Sequence, residues 1–155
     1  MARKKTGKQA TKPPPKCKAI LLCDTVIVDA ISQKPTMVGI FGGFNVPGFP
    51  GYTSPCNAFL QLTDGIGTYR ITVEVRDLRD DLVVGRGEIA ELVFQERAAK
   101  HNLIIPVPPM QLQHDGLYDF VVLADGQEID RQQFGARGPG GPQDATNQPE
   151  PPEVE

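Results

Sequence analysis

"TYRITVEVRD", residues 68–77, decides the fold. Tyr69, Ile71, Val73 and Val75 alternate with Arg70, Thr72, Glu74 and Arg76. A two-residue period puts one set on each side of an extended chain, so it predicts a strand with one face buried and one wet. "DLRDD" (77–81) reads as a hairpin loop feeding "LVVGRGEIAELVF" (82–94). Upstream, "CNAFLQLTD" (56–64) places Cys56, Ala58, Leu60 and Leu62 on one face, and "TMVGIFGGF" (36–44) follows a polar turn at "SQKP". "KAILLCDTVIVD" (18–29) is apolar on both parities, the pattern of a strand covered on both faces.

Downstream, "NLIIPV" (102–107) is a short strand, after which Pro106, Pro108 and Pro109 break the chain. "GLYDFVVLADGQEIDRQQF" (116–134) reads as a hairpin turning at Asp125-Gly126. "GEIAELVFQERAAKHN" (87–102) also has helical spacing through Ile89, Leu92 and Val93; strand is expected to Phe94 and a helical turn over 95–100. The sum is an all-β fold: an antiparallel β-sandwich of about seven to eight strands, Greek-key and immunoglobulin- or C2-like.

The ends differ from this middle. Residues 1–18 carry Arg3, Lys4, Lys5, Lys8, Lys12, Lys16 and Lys18 and no acid, and residues 138–155 carry four acids and no base. Both are rich in proline or glycine and poor in large apolar side chains, so they are expected to be disordered tails flanking a sandwich domain at 19–137. The formal charge of −3 hides a basic arm on a body with nine bases and fifteen acids. Such an arm suits nucleic acid, an anionic membrane surface or an acidic protein, or serves as a solvated tail. The charged N-terminus shows no secretory leader, and the apolar run from Ala19 to Val28 is too short for a membrane span. Three cysteines without a C-x-x-C fit reduced thiols in a cytoplasmic protein.

The glycines of "VGIFGGFNVPGFPGY" (38–52) invite comparison with a phosphate loop. They match neither nucleotide-binding spacing, no lysine lies between Lys34 and Lys100, and Pro47, Pro50 and Pro55 forbid the helix that such a loop opens. Gly42 and Gly43 read instead as a structural bend in a strand. His101 and His114 do not cluster with Cys17, Cys23 or Cys56 at zinc-like spacing. The loop carboxylates Asp77, Asp80 and Asp81, and Asp125, Glu128 and Asp130, offer a calcium- or small-ligand-binding alternative, with Arg76, Arg79 and Arg131 standing among them. "HDGLYDF" (114–120) has the form of a tyrosine corner, with Tyr118 as the structural residue.

Taken in chain order, Leu22-Cys23-Asp24, Gly39-Ile40-Phe41, Phe49-Pro50, Gly116 to Phe120, Asp125-Gly126 and Phe134 resemble a family of small uncharacterised bacterial proteins, a domain of unknown function. The resemblance spans roughly 18–137 and implies a β-sandwich with no established activity and no catalytic residues to carry over. Asp24 is its unusual member, an acid in an apolar strand that, if buried, needs a partner or has a ligand role.

The sequence therefore assigns no catalytic residue, cofactor or metal. The expected function is that of a non-catalytic protein-binding or self-assembling module, whose partner is another protein or a second copy. The alternative is a nucleic-acid-associated protein contacting phosphates through Arg3, Lys4, Lys5, Lys8, Lys12, Lys16 and Lys18.

Overall fold

The computed structural model of the chain describes residues 12–139. Eight long strands carry the fold: β1 (Lys16–Val28), β2 (Pro35–Phe41), β5 (Cys56–Thr63), β6 (Gly67–Asp77), β7 (Val83–Phe94), β8 (His101–Val107), β10 (Gly116–Ala124) and β11 (Gln127–Arg137). Three short ones join them: β3 (Gly43–Asn45), β4 (Gly51–Tyr52) and β9 (Gln111–Leu112). Sheet I has the order β2-β1-β5-β8, sheet II the order β3-β11-β10-β6-β7, and β4 pairs β9 in a separate ribbon. All pairs are antiparallel except β3 with β11. The chain crosses between sheets repeatedly, so neighbours in space come from distant sequence, as in Greek-key sandwiches.

Alternation fills the interior. Leu22, Ala58, Leu60, Leu62 and Ile105 from sheet I share one core with Tyr69, Ile71, Val73, Val75, Phe120, Val122 and Phe134 from sheet II. The segment that decided the fold thus has its apolar parity inside. Strand ends at Phe94, and a turn occupies the segment before β8, where the Ala99 N–H donates to the Glu96 carbonyl at 3.2 Å.

The turns follow from side-chain chemistry. Asp125 (φ 49°) and Gly126 (φ 81°) form the two-residue β10–β11 turn, both in the left-handed region such a turn demands. Asp125 Oδ1 also accepts the Arg70 N–H at 2.9 Å. In the β6–β7 hairpin, Asp77 Oδ1 accepts from Arg79 N at 2.9 Å and Asp80 Oδ1 from Leu82 N at 3.0 Å. These carboxylates tie down backbone donors that the turn leaves unpaired.

The Gly42-Gly43 pair is where the chain changes sheets. β2 ends at Phe41 in sheet I, and β3 begins at Gly43 in sheet II beside β11. A Cβ on Gly43 would lie 2.9 Å from the Gly135 carbonyl oxygen, so the parallel pair closes only without one. The proline-glycine loop that follows contains a cis Phe49–Pro50 bond. It is held by Val46 N–H to the Arg137 carbonyl at 2.8 Å and by a reciprocal pair in which Thr53 N donates to Met110 O and Met110 N to Thr53 Oγ1, both at 2.9 Å.

Two expectations change. The basic arm does not extend to residue 18: Lys16 and Lys18 are strand residues. Lys12 lies 4.1 Å from the centre of the Tyr69 ring and 3.6 Å from Asp125, and the Tyr69 hydroxyl donates to the Pro13 carbonyl at 2.7 Å. A strip of sequence without large apolar residues is ordered here by polar contacts to a buried tyrosine. Arg3, Lys4, Lys5 and Lys8, and the acidic tail from residue 140, lie outside the described residues. The second change concerns β1. It was expected to be covered on both faces; Ile20 and Leu22 join the core, and on the other face Cys23 is buried while Thr25 and Ile27 are exposed.

Candidate interaction face

A sandwich has two outer faces, and here they differ in kind. On sheet II the outward parity of β6, β7, β10 and β11 carries charge. Glu74 is 5% exposed on what the alternation marked as the wet face. Its Oε2 accepts from Arg76 Nε at 3.0 Å and Nη2 at 2.8 Å, and its Oε1 accepts from Arg86 Nη2 at 2.6 Å. Asp119, 4% exposed, accepts from Arg131 Nη1 at 2.7 Å, and Arg131 also forks onto Glu128 at 2.5 and 2.7 Å. Hydrogen bonds from Arg76, more than any other influence, hold the Glu74 carboxyl below its ordinary range, and Glu128 and Asp119 raise the Arg131 guanidinium. Three acids and three arginines cancel across four strands, and each acid is occupied.

Sheet I presents the opposite surface. Strand register aligns Leu21, Phe59 and Ile104 in one row, with Ala19, Gln61 and Asn102 on one side. On the other side come Cys23 with Ile40, Asn57 and Pro106, then Thr25 with Val38, and Ile27 with Thr36. None of these positions is charged. Ile27 (57% exposed), Val38 (46%), Ile40 (57%) and Ile104 (38%) give the face its apolar character, around a buried Phe59 and Cys23. β1 leaves β5 at Cys23↔Asn57 but stays paired to β2 as far as Val28↔Pro35. The β1–β2 hairpin therefore reaches about 16 Å beyond the rest of the sheet, at about 3.3 Å per residue. Its tip carries Ile31, 96% exposed, in a turn fastened by Asp29 Oδ1 accepting from Ile31 N at 3.0 Å and Ser32 N at 2.6 Å.

The residues singled out from sequence fall elsewhere. Asp24 is exposed on β1, not buried, and its carboxyl fills the space where a Cβ of Gly39 would stand. Gly39 has φ +69°, so glycine meets two demands there at once. His101 opens β8 opposite Leu62, with its ring 4.5 Å from that of Phe94 and its Nε2 without a hydrogen-bond partner. Asp24 lies beside Asn57 at the other end of β5, about 17 Å along the strand. His114 belongs to sheet II's side of the molecule: its Nε2 meets the buried Asp77 carboxylate and its Nδ1 the Asp115 carbonyl at 2.6 Å. These groups are not gathered into one cleft.

The three cysteines are free, and burial is the leading cause that raises each thiol, Cys17 and Cys56 to about 11. They are protonated, poor nucleophiles at neutral pH. Among the described residues no group of three or more His, Cys, Asp or Glu could hold a metal ion, and no helix is long and apolar enough to cross a membrane. Tyr118 makes the contact that defines a tyrosine corner: its hydroxyl donates to the His114 carbonyl at 2.7 Å, while its ring stacks between His114 and Phe134.

Sequence reasoning missed the outer face of sheet I, although a signal for it was present. Residues 19–28 are apolar on both parities, and the chain's own second sheet answers only one of them.

The family of unknown function DUF6941 matches residues 18–137, and the chain belongs to it. No curated protein matches the chain. Among solved structures, it matches the Pseudomonas fluorescens alkylpurine DNA glycosylase AlkC bound to DNA containing an abasic site analog. That match has 9% identity and a TM-score of 0.44, over 77% of this chain and 30% of that one, and carries no argument about function.

Proposed function

We propose that this member of the family is a non-catalytic protein-binding module that docks through the outer face of sheet I. The observation that carries the reading is the uncharged, partly exposed surface around Ile27, Val38, Ile40 and Ile104, on a body with an excess of acids. Contiguous apolar patches beyond a few hundred Å² mark interaction sites, because leaving them in water forgoes the free energy of burial. The ionic outer face of sheet II shows the other solution, charge answered within the chain. Protonated thiols, a His114 engaged at both ring nitrogens and carboxylates taken up by arginines or turns favour binding over chemistry. For the basic arm, Lys12 and Lys16 are paired to Asp125 and Asp64, which leaves nucleic-acid contact to the exposed Lys18 and to residues before 12.

The test is a photoactivatable phenylalanine analogue placed at Val38 of the full chain, compared with the same probe at Gln133 on the outer face of sheet II. Specific protein adducts at Val38, absent at Gln133, are expected in native lysate. No adduct at Val38, or equal adducts at both, overturns the proposal.

A further inference from the structure

Resting on that docking face, we infer that its occupant is a second copy of this chain, packed sheet I against sheet I about a two-fold axis. Three observations lead there. The first is size. The outer rows span residues 19–27 of β1 but only 36–40 of β2, 57–61 of β5 and 102–106 of β8, so at about 3.3 Å per residue and about 4.8 Å per strand the face covers roughly 400 Å². Two such faces in contact remove roughly 800 Å² from water, the size of a weak, transient interface.

The second observation is charge. A partner for this face must itself be uncharged where they meet, since an unpaired charge against Val38 or Ile40 is desolvated without compensation. The same chain presents such a surface, and the acid excess of its body lies elsewhere. A two-fold pairing brings this patch against its own copy, so an uncharged surface meets an uncharged surface.

The third is the pattern of β1. Leu22 and Ile20 face the core while Leu21 and Ile27 lie on the outer parity, beside a Cys23 that the chain already buries. Apolar residues on both parities are the mark of a strand sandwiched between two layers, and sheet II supplies only one. A second sheet I at the usual separation of about 10 Å supplies the other.

The experiment is sedimentation velocity of the purified full chain from 1 to about 200 µM, a range set by the weak affinities of small interfaces, run beside irradiation of the Val38 probe in the same samples. Wild type is expected to shift from monomer to dimer over this range, with a dimeric adduct at Val38. Ile40→Glu puts a carboxylate from each copy into one interface and is expected to raise the dimer dissociation constant by about 100-fold. Gln133→Glu leaves it unchanged. Ile40 is more than half exposed, so the variant folds; Ile27→Lys on the hairpin gives an independent second test.

A monomer throughout the range overturns the second-copy inference. If the Val38 probe then captures a different protein in lysate, the docking reading stands without it. If the probe captures nothing, both fall. A dimer that survives Ile40→Glu and Ile27→Lys uses another surface and equally overturns the inference.

Discussion

Replacing Tyr118 by phenylalanine removes one oxygen atom and tests how the end of sheet II is held. The Tyr118 side chain is fully buried, and its hydroxyl donates to the His114 carbonyl at 2.7 Å, four residues upstream. Phenylalanine keeps the ring, so the stacks on His114 (5.6 Å) and Phe134 (5.8 Å) survive and no large cavity opens. What is lost is one neutral hydrogen bond, and the carbonyl it served is left short of a donor. Such a deletion costs about 1.5 kcal/mol, the upper end of the net contribution of a neutral hydrogen bond. For a body of this size that is a fall in Tm of roughly 5 °C. Thermal melts and urea titrations followed by circular dichroism at pH 7 measure it, with Tyr52→Phe, at an exposed position, as the neutral control. The urea m-value should not change, since the surface exposed on unfolding is the same. A Tm within about 1 °C of wild type would show that the hydroxyl carries no stability, and the account of the corner would be wrong.

Other side chains give tests of different kinds. His114 has its pKa raised, first by the Asp115 carbonyl and then by Asp77, so its contribution is complete below the unfolded value near 6.5 and fades as pH rises through the folded value; the Tm difference between wild type and His114→Asn should be largest at pH 5.5 and shrink by pH 9. Glu74 has its pKa lowered, so its contribution is present above the unfolded value near 4.3 and lost as pH falls through the folded one. Glu74→Gln should cost about 2 kcal/mol at neutral pH by urea titration, and the gap should close in acid. Gly39→Ala meets both a left-handed φ and the Asp24 carboxyl, so it should destabilise by about 2 kcal/mol. Adding Asp24→Ala should recover the steric part only, and full recovery would show that backbone conformation plays no role. Cys56, with its thiol pushed up to about 11, should resist a thiol reagent at pH 7.5 in the folded protein and react on unfolding.

How far the sequence spoke for itself can be followed in single strands. In β6 the two-residue period placed Tyr69, Ile71, Val73 and Val75 inside, because burial of alternate residues is a local property. The same period put Glu74 in water, and it is buried there by Arg86 from β7 and Arg76 from its own strand. Which residues of β7 lie opposite β6 depends on two register shifts that no local pattern reveals. The Gly42-Gly43 bend was legible as curvature, but that it carries the chain from sheet I to sheet II depends on β11, about ninety residues later. Asp24 looked exceptional as an acid among apolar neighbours because the strand was taken as covered on both sides. Beyond Cys23 the strand has left β5 and runs into the hairpin, where an acid needs no buried partner.

The two outer faces answer the same physical problem differently. A sheet that buries one side must make its other side tolerable to water, and on sheet II that is done with paired charges: Arg131 and Glu74 stand directly across from Val121, which is fully buried. Sheet I could have been built likewise: replacing Val38 or Ile40 by lysine or threonine would interfere with nothing in the core, since neither side chain belongs to it. An exposed isoleucine gains no free energy of folding from its exposed area, so four partly exposed apolar side chains on one face contribute little to holding this fold together. Their stabilising value appears only when something covers them. If Val38→Thr and Ile40→Thr together leave the urea midpoint of the monomer unchanged while abolishing adduct formation at the Ile104 end of the face, the apolar surface serves association. A marked loss of monomer stability would show instead that these side chains hold the hairpin to the sheet.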